Sequence, residues 1–388
     1  MNRYQAVKTA VIGCGAISGI YFHNMIHNFQ ILDVVGCCDL NEDAAGAASS
    51  AYGIPVLTKE AILNDPGIEL VVNLTGPSVH YPVIKELLEH GKHVYTEKVL
   101  ATDIDQAQEL ILLAQKQGVL LCCAPDTFLG AGLQTARHLI ESGLIGTVTS
   151  AVAVLQRDAR QLAEKFPFTA KAFGGIGIDV GIYYTTAMIS ILGSVEEVCG
   201  MSGIVFPEQT HYFTGNGNFG ETYRQESETY LAGTLRFRSG CIGSLHFNSR
   251  SIRTETPYVA FYGTEGILFL EDPNSFGGEV KLLMKGQTTP VSFPHTHGYD
   301  GNERGLGVAE MAWALRKGRV PRADAKMARH ALEILTGIVR SGETRCFYSL
   351  RSAFELPPVL PRGYLGGQYA GNQAEGGIAL EEGTMGEL

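Results

Sequence analysis

Near its start the chain runs Val11-Ile12-Gly13-Cys14-Gly15-Ala16-Ile17-Ser18-Gly19, and Asp39 stands twenty residues beyond the last of these glycines. A short apolar strand, a Gly-x-Gly-x-x-Gly turn that opens a helix, and a second strand ending in an acid describe a parallel strand–helix–strand unit. Gly13 permits the tight turn and Gly15 lets the backbone approach a pyrophosphate, while Gly19 allows the helix to pack closely on the sheet. The first helical amides, around Ala16 and Ile17, point their N–H groups and the positive end of the helix dipole at the same anion. Asp39 can accept hydrogen bonds from ribose hydroxyls but repels a 2′-phosphate. No arginine follows it in Leu40-Asn41-Glu42-Asp43, so the pattern predicts NAD rather than NADP.

The remainder of the first 125 residues repeats this alternation. Apolar strands are expected around Ile31–Cys38, Leu70–Leu74, His93–Tyr95 and Val119–Cys123, with amphipathic helices between them. The helix Asp103–Gln117 is expected to be capped by Thr102. Beyond residue 125 the pattern becomes β-rich. Seven apolar stretches between Val148 and Met284 predict a large, mostly antiparallel open sheet, with one long helix near Ile178–Leu192 against it. Two late helices, Arg304–Arg316 and Arg322–Val339, are free to pack on either half. The fold class is therefore α/β: a Rossmann domain over residues 1–125, an α/β substrate and oligomerisation domain over 126–356, and a Gly/Pro/Glu-rich tail over 357–388 that reads as an arm or frayed end.

With 388 residues, 45% hydrophobic and 18% charged, the chain has material for two cores. A net charge of −10 with no Lys/Arg stripe argues against a nucleic-acid partner. No apolar run reaches the roughly 18 residues of a membrane span. The opening Met1–Gln5 leads into a strand without a secretory apolar region, and the eight cysteines form no C-x-x-C pair, which together predict a cytoplasmic protein with buried thiols. An exposed open sheet makes self-association through that sheet a further expectation.

Three segments carry candidate chemistry. Thr75-Gly76-Pro77-Ser78-Val79-His80 follows the third assured strand, where a helix opened by Pro77 would present N–H groups to a cofactor; equally, Thr75 and Ser78 could only satisfy the turn and His80 only cap it. Tyr95-Thr96-Glu97-Lys98-Val99 ends the next strand, where a lysine can hydrogen-bond a substrate oxygen and hold positive charge as an alcohol loses its proton; the alternative is a surface Glu–Lys pair. In Gly174-Gly175-Ile176-Gly177-Ile178-Asp179-Val180-Gly181-Ile182-Tyr183 the acid and phenol are four apart, on one helical face, able to grip a polyol or merely to cap and fill. Weaker candidates are Arg157 and Arg160, which could reach a substrate carboxylate or hydroxyl, and the His295-Thr296-His297 loop, read as substrate-facing rather than metal-binding. The glycines from Gly215 to Gly220 suggest a mobile loop.

Taken in order and spacing, Gly13–Gly19, Thr75–His80, Glu97-Lys98 and Gly174–Tyr183 resemble the Gfo/Idh/MocA family of NAD(P)-dependent sugar and polyol oxidoreductases, over about residues 5 to 345. The resemblance implies hydride transfer between nicotinamide and a hydroxyl or ketone of a sugar, sugar derivative or cyclic polyol, in a homodimer or homotetramer. It implies cofactor contacts from Gly13, Gly15, Ala16, Ile17, Gly19, Asp39, Thr75, Pro77, His80, Glu97 and Lys98. Lys98, Asp179 and Tyr183 would be catalytic, and no metal is implied. Tyr183 stands where many members have histidine, as in the dihydrodiol and xylose dehydrogenase-like branch, and Lys98 beside it is expected to pull the phenol pKa down. Val99 stands where the motif has proline, so the peptide geometry there decides where Lys98 points. Two other classes fit the same residues: a lyase or glycoside-cleaving enzyme that uses bound NAD transiently, and a non-catalytic NAD-binding regulator.

Overall fold

The computed structural model describes residues 5–160, 163, 166–215, 217–252 and 258–361. Five short strands, β1 (Val7–Ile12), β2 (Leu32–Cys38), β3 (Leu70–Asn73), β4 (His93–Thr96) and β5 (Leu121–Cys123), pair in parallel in the order β2-β1-β3-β4-β5. Helices cover both faces, so every residue of β3 and β5 is buried, which is why these strands are continuously apolar. The helices are α1 (Ser18–His27), α2 (Glu42–Tyr52), α3 (Lys59–Asn64), α4 (His80–Glu89) and α5 (Ile104–Gln117). One further parallel bridge, Cys37 to Val56, marks an outer strand position beside β2. Strand order thus reverses between β1 and β3, and the loops leaving those two strands part there to form a crevice.

Local chemistry explains where expectation and structure differ. α3 is six residues long, too short to show a helical period, and starts where the Thr58 side chain accepts the Ala61 N–H. α5 is capped by Asp103, whose Oδ1 accepts the Asp105 and Gln106 N–H groups at 2.8 and 2.9 Å, and not by Thr102. At Gly19 an added Cβ would meet the Tyr52 hydroxyl at 3.4 Å, so the close neighbour is α2 rather than the sheet. Tyr52 Oη donates to the Gly19 carbonyl at 2.9 Å.

After helix α6 (Ala131–Glu141) come β6 (Val148–Gln156), β7 (Val195–Gly203), the hairpin β8 (Glu208–Thr210) and β9 (Thr222–Arg224), then β10 (Tyr230–Phe237), β11 (Ile242–Asn248), β12 (Tyr258–Gly263), β13 (Gly266–Leu270), β14 (Val280–Met284), β15 (Val291–Phe293) and, late in the chain, β16 (Tyr348–Ser349). Nine of these form one sheet in the order β15-β14-β13-β12-β6-β11-β10-β7-β16, antiparallel except for the β6–β11 pair. Alternate residues Leu231, Leu235, Phe237, Leu245 and Phe247 bury one face. Exposed apolar side chains on its strands include Met201, Tyr230 and Ile242. The glycines from Gly215 onward lie in the connection of the β8–β9 hairpin.

The two late helices divide the choice left open by their sequence. Leu306–Lys317 packs on α1 and β4, with Trp313 fully buried, while Ala325–Thr344 wedges between β7, the helix Ile182–Leu192 and α5. The beginning of the supposed tail is fixed, not frayed. Leu360 is buried, its N–H donates to Gln134 Oε1 at 2.8 Å, and the Pro358 carbonyl accepts Arg322 Nε at 3.0 Å. Residues 362–388 lie outside the described residues.

Candidate active site

Because β1 to β4 run parallel, the loops after them leave on one edge of the sheet, and residues 13–19, 39, 75–80 and 97–99 share that edge. Gly13 adopts φ +101°, and a Cβ there would lie 2.6 Å from the Leu74 carbonyl carbon, so both conformation and space demand glycine. Gly15 is different: a Cβ added to it meets nothing within 4 Å, leaving open space above the turn. The Gly13 N–H donates to the Cys38 carbonyl at 2.8 Å, and the Cys14 N–H donates to Asp39 Oδ2 at 2.6 Å, which ties the acid to the turn. Asp39 Oδ1 accepts the Asn41 N–H at 2.8 Å. An open approach over Gly15, helical amides from Ala16 and Ile17 into α1, and an acid anchored at the lip fit a dinucleotide.

The exits of β3 and β4 are cross-linked. Asn73 Nδ2 donates to Thr96 Oγ1 at 3.0 Å and Asn73 Oδ1 accepts the Thr75 hydroxyl at 2.7 Å. Pro77 opens a single 3-10 turn, Pro77–Val79, before α4. His80 stands between the two exits. Its ring is fully buried, with Nδ1 2.6 Å from the Val99 carbonyl oxygen and Nε2 2.9 Å from that of Thr75, and burial holds the imidazole below its ordinary pKa. The ring braces the two exit loops.

The Lys98–Val99 peptide is cis although valine stands in the proline position, and Lys98 crosses the crevice. Its Nζ donates to Asp179 Oδ1 and to the Asp179 carbonyl, each at 2.8 Å. Both side chains are nearly enclosed, 17% and 15% exposed. Asp179 sits in a π-helical turn, Gly177–Gly181, that runs straight into the helix Ile182–Leu192. The Tyr183 ring centroid lies 5.7 Å from Lys98 Nζ. Burial alone would lower the Lys98 ammonium pKa, but the negative charge of Asp179, with Tyr183 and Glu97 behind it, holds it above the ordinary lysine value. Burial pushes the Tyr183 phenol up. Lys98 and Arg304 pull it down without overcoming that rise, so the expected net depression is not found.

Glu97 faces the same crevice floor, its Oε1 accepting the Tyr21 hydroxyl at 2.6 Å and its Oε2 the Lys98 N–H at 3.0 Å. Arg304 joins the site from outside these motifs. It reaches toward the Tyr183 phenol from the loop before the helix Leu306–Lys317, where its charge pulls the phenol pKa down, and is itself held by Asn302 Oδ1 at 2.8 Å and Asn274 Oδ1 at 2.7 Å. Asp126 braces that loop by accepting the Gly305 and Gly307 N–H groups at 3.2 and 2.9 Å, and burial pushes its carboxyl up to about 6. A lone arginine before a helix has no local signal, since only tertiary packing brings it to residue 183. The histidine loop also differs from expectation. His295 bonds the Gly278 carbonyl and buried His297 the Leu360 carbonyl, so both fasten the loop instead of facing a substrate.

A Rossmann sheet whose exits carry the glycine turn and Lys98, met by an acid and a phenol from an open-sheet domain, defines an oxidoreductase-type dinucleotide fold. Residues 7–124 match the oxidoreductase family with NAD-binding Rossmann fold, and residues 133–269 match the GFO/IDH/MocA C-terminal domain; the chain belongs to the Gfo/Idh/MocA family. An uncharacterised oxidoreductase of Schizosaccharomyces pombe is 34% identical over 37% of this chain, and that match spans 40% of the relative's own length. A myo-inositol 2-dehydrogenase of Thermotoga maritima is 22% identical over 69% of this chain and 75% of that protein. Among solved structures, levoglucosan dehydrogenase in complex with NADH superposes with a TM-score of 0.77 at 16% identity, covering 90% of this chain and all of that one.

Proposed function

We propose that this protein is an NAD-dependent dehydrogenase or reductase acting on a hydroxyl or ketone of a sugar, sugar derivative or cyclic polyol. One observation carries the reading: Lys98, from the dinucleotide sheet, is joined at 2.8 Å to Asp179, from the second domain, directly beside Tyr183. Family membership and the sugar and inositol dehydrogenases among its relatives support it. Gly13, Gly15, Ala16, Ile17, Asp39, Thr75 and Pro77 would hold the dinucleotide, and bound NAD supplies the hydride acceptor, or in reduced form the donor.

The chain's own groups manage the proton. Asp179 orients the reacting hydroxyl, and Lys98 donates a hydrogen bond to its oxygen. Tyr183 exchanges the proton with that oxygen, with Lys98 and Arg304 as two cations that favour the phenolate. In the alcohol-to-ketone direction the substrate loses one hydride from carbon and one proton from oxygen; the reverse returns both. The exposed apolar side chains along the large sheet support a homodimer or homotetramer built on it. The test is a screen of sugars, inositols and their keto forms with NAD(H) and NADP(H), following the absorbance of reduced nicotinamide. Turnover with NAD(H) is expected. A panel with no nicotinamide redox change on any member overturns the proposal.

A further inference from the structure

Two arginines beside Asp179 remain outside the hydride-transfer machinery. The sequence singles out Arg157 and Arg160 as possible substrate contacts, and the structure separates them. Arg160 is committed elsewhere: its guanidinium is paired with Asp158 and lies over the Tyr212 ring, 4.5 Å from the centroid. Arg157 instead lines a small cleft shared with Asp179, Gln225, Glu228, Ser249 and Arg250. Its Nε is buried without a hydrogen-bond partner among the described residues. Arg250 lines the same cleft from two residues beyond β11, and its Nε is likewise buried and unpartnered among the described residues. Its other nitrogens donate to Gln225 Oε1 at 2.9 Å and the Ser249 carbonyl at 3.3 Å, which fix the guanidinium plane.

Buried donors left unsatisfied are costly, and one that the fold retains stands as strain or is completed by a water, an ion or a ligand. The acids of the cleft do not do so. Asp179 is held by Lys98, and Glu228 is turned onto the start of the π-helical turn, where its Oε1 accepts the Gly177 N–H at 3.1 Å. Two planar guanidinium groups next to the residue that orients the reacting hydroxyl match a planar, two-oxygen anion on the substrate itself.

We propose that Arg157 and Arg250 form an anion subsite, and that the substrate is a carboxylate-bearing sugar or polyol, of the uronic or aldonic acid class, whose carboxylate lies between them while its hydroxyl meets Lys98 and Asp179. This rests on the redox reading given above. Binding and turnover separate the two. With the NADH-loaded enzyme, sodium D-glucuronate and D-gluconate are titrated calorimetrically against D-glucose, D-sorbitol and glucose 6-phosphate, and the same panel is assayed for nicotinamide oxidation or reduction. At least one acid is expected to bind about 10- to 100-fold more tightly than its neutral counterpart. That preference should fall by about tenfold or more in Arg157→Gln and in Arg250→Gln, and be partly kept in Arg250→Lys, with Tm measured for each variant to confirm folding.

Neutral sugars bound or turned over as well as the acids, by an enzyme whose preference the arginine variants do not alter, overturn the subsite and leave the redox reading standing. Binding of the phosphate ester alone overturns the carboxylate assignment. Acids that bind through the two arginines without any nicotinamide turnover support the subsite and count against the redox reading.

Discussion

Lys98 and Tyr183 are both held in their protonated forms by their surroundings, the lysine by Asp179 and the phenol by burial. A pair in that state is ready to give a proton to a developing alkoxide, and must lose one before it can accept from an alcohol. Oxidation of substrate should therefore speed up with pH through the neutral and mildly alkaline range, approaching tenfold per unit while pH stays below the phenol pKa. Tyr183→Phe should remove that slope and lower turnover by about 10²–10⁴-fold. A pH–rate profile unchanged by the substitution would move the acid/base role to Lys98. Lys98→Ala should abolish turnover yet leave NAD binding largely intact, because the dinucleotide anchors sit on the turn and on β2; fluorescence titration with NADH and an assay on the same preparation check both halves. Full activity in that variant would remove lysine from the mechanism.

Among the local elements, the glycine turn makes a contrast that two single substitutions can read. Gly13 is fixed by a positive φ and by the Leu74 carbonyl, whereas Gly15 faces open space. Gly13→Ala is expected to destabilise the protein by about 1–3 kcal/mol through backbone strain and to lower Tm. Gly15→Ala should leave Tm within error of the parent while weakening NAD binding at least tenfold, since its methyl group stands only in the ligand's path. Equal effects of the two on Tm would show that the turn is not split in this way. The π-helical turn at Gly177–Gly181 acts by a related device, as a Cβ on Gly175 would fall 2.1 Å from the Glu228 carboxyl carbon. Glycine there leaves room for that carboxylate, whose Oε1 accepts the Gly177 N–H at the start of the turn at 3.1 Å.

For the molecule as a whole, the helix Ala325–Thr344 fastens the large sheet to the dinucleotide half, and its buried His330 makes that fastening pH-dependent. The Val195 N–H donates to His330 Nε2 at 2.9 Å, the Ser352 hydroxyl lies 2.8 Å from Nδ1, and burial lowers the imidazole pKa to about 4. A folded-state value below the ordinary 6.5 means that the stabilisation is complete above pH 6.5 and is lost as pH falls toward 4, on the order of 3 kcal/mol in all. Urea unfolding at pH 4.5 and 7.5 should show this loss in the parent and a smaller one in His330→Gln; identical pH dependence in both would assign the loss to other groups. The sequence by itself determined the dinucleotide half, because Gly13–Gly19, Asp39 and the all-apolar strands are consequences of local period and backbone freedom. It also singled out Lys98, Asp179 and Tyr183, each marked by a short motif. What it left open depends on distance along the chain. The approach of Arg304 to Tyr183 and the placing of Arg160 over the Tyr212 ring are tertiary outcomes, as is the diversion of His80 and His297 to backbone carbonyls. A polar side chain takes whichever partner folding brings within hydrogen-bond reach, and no local pattern records that partner.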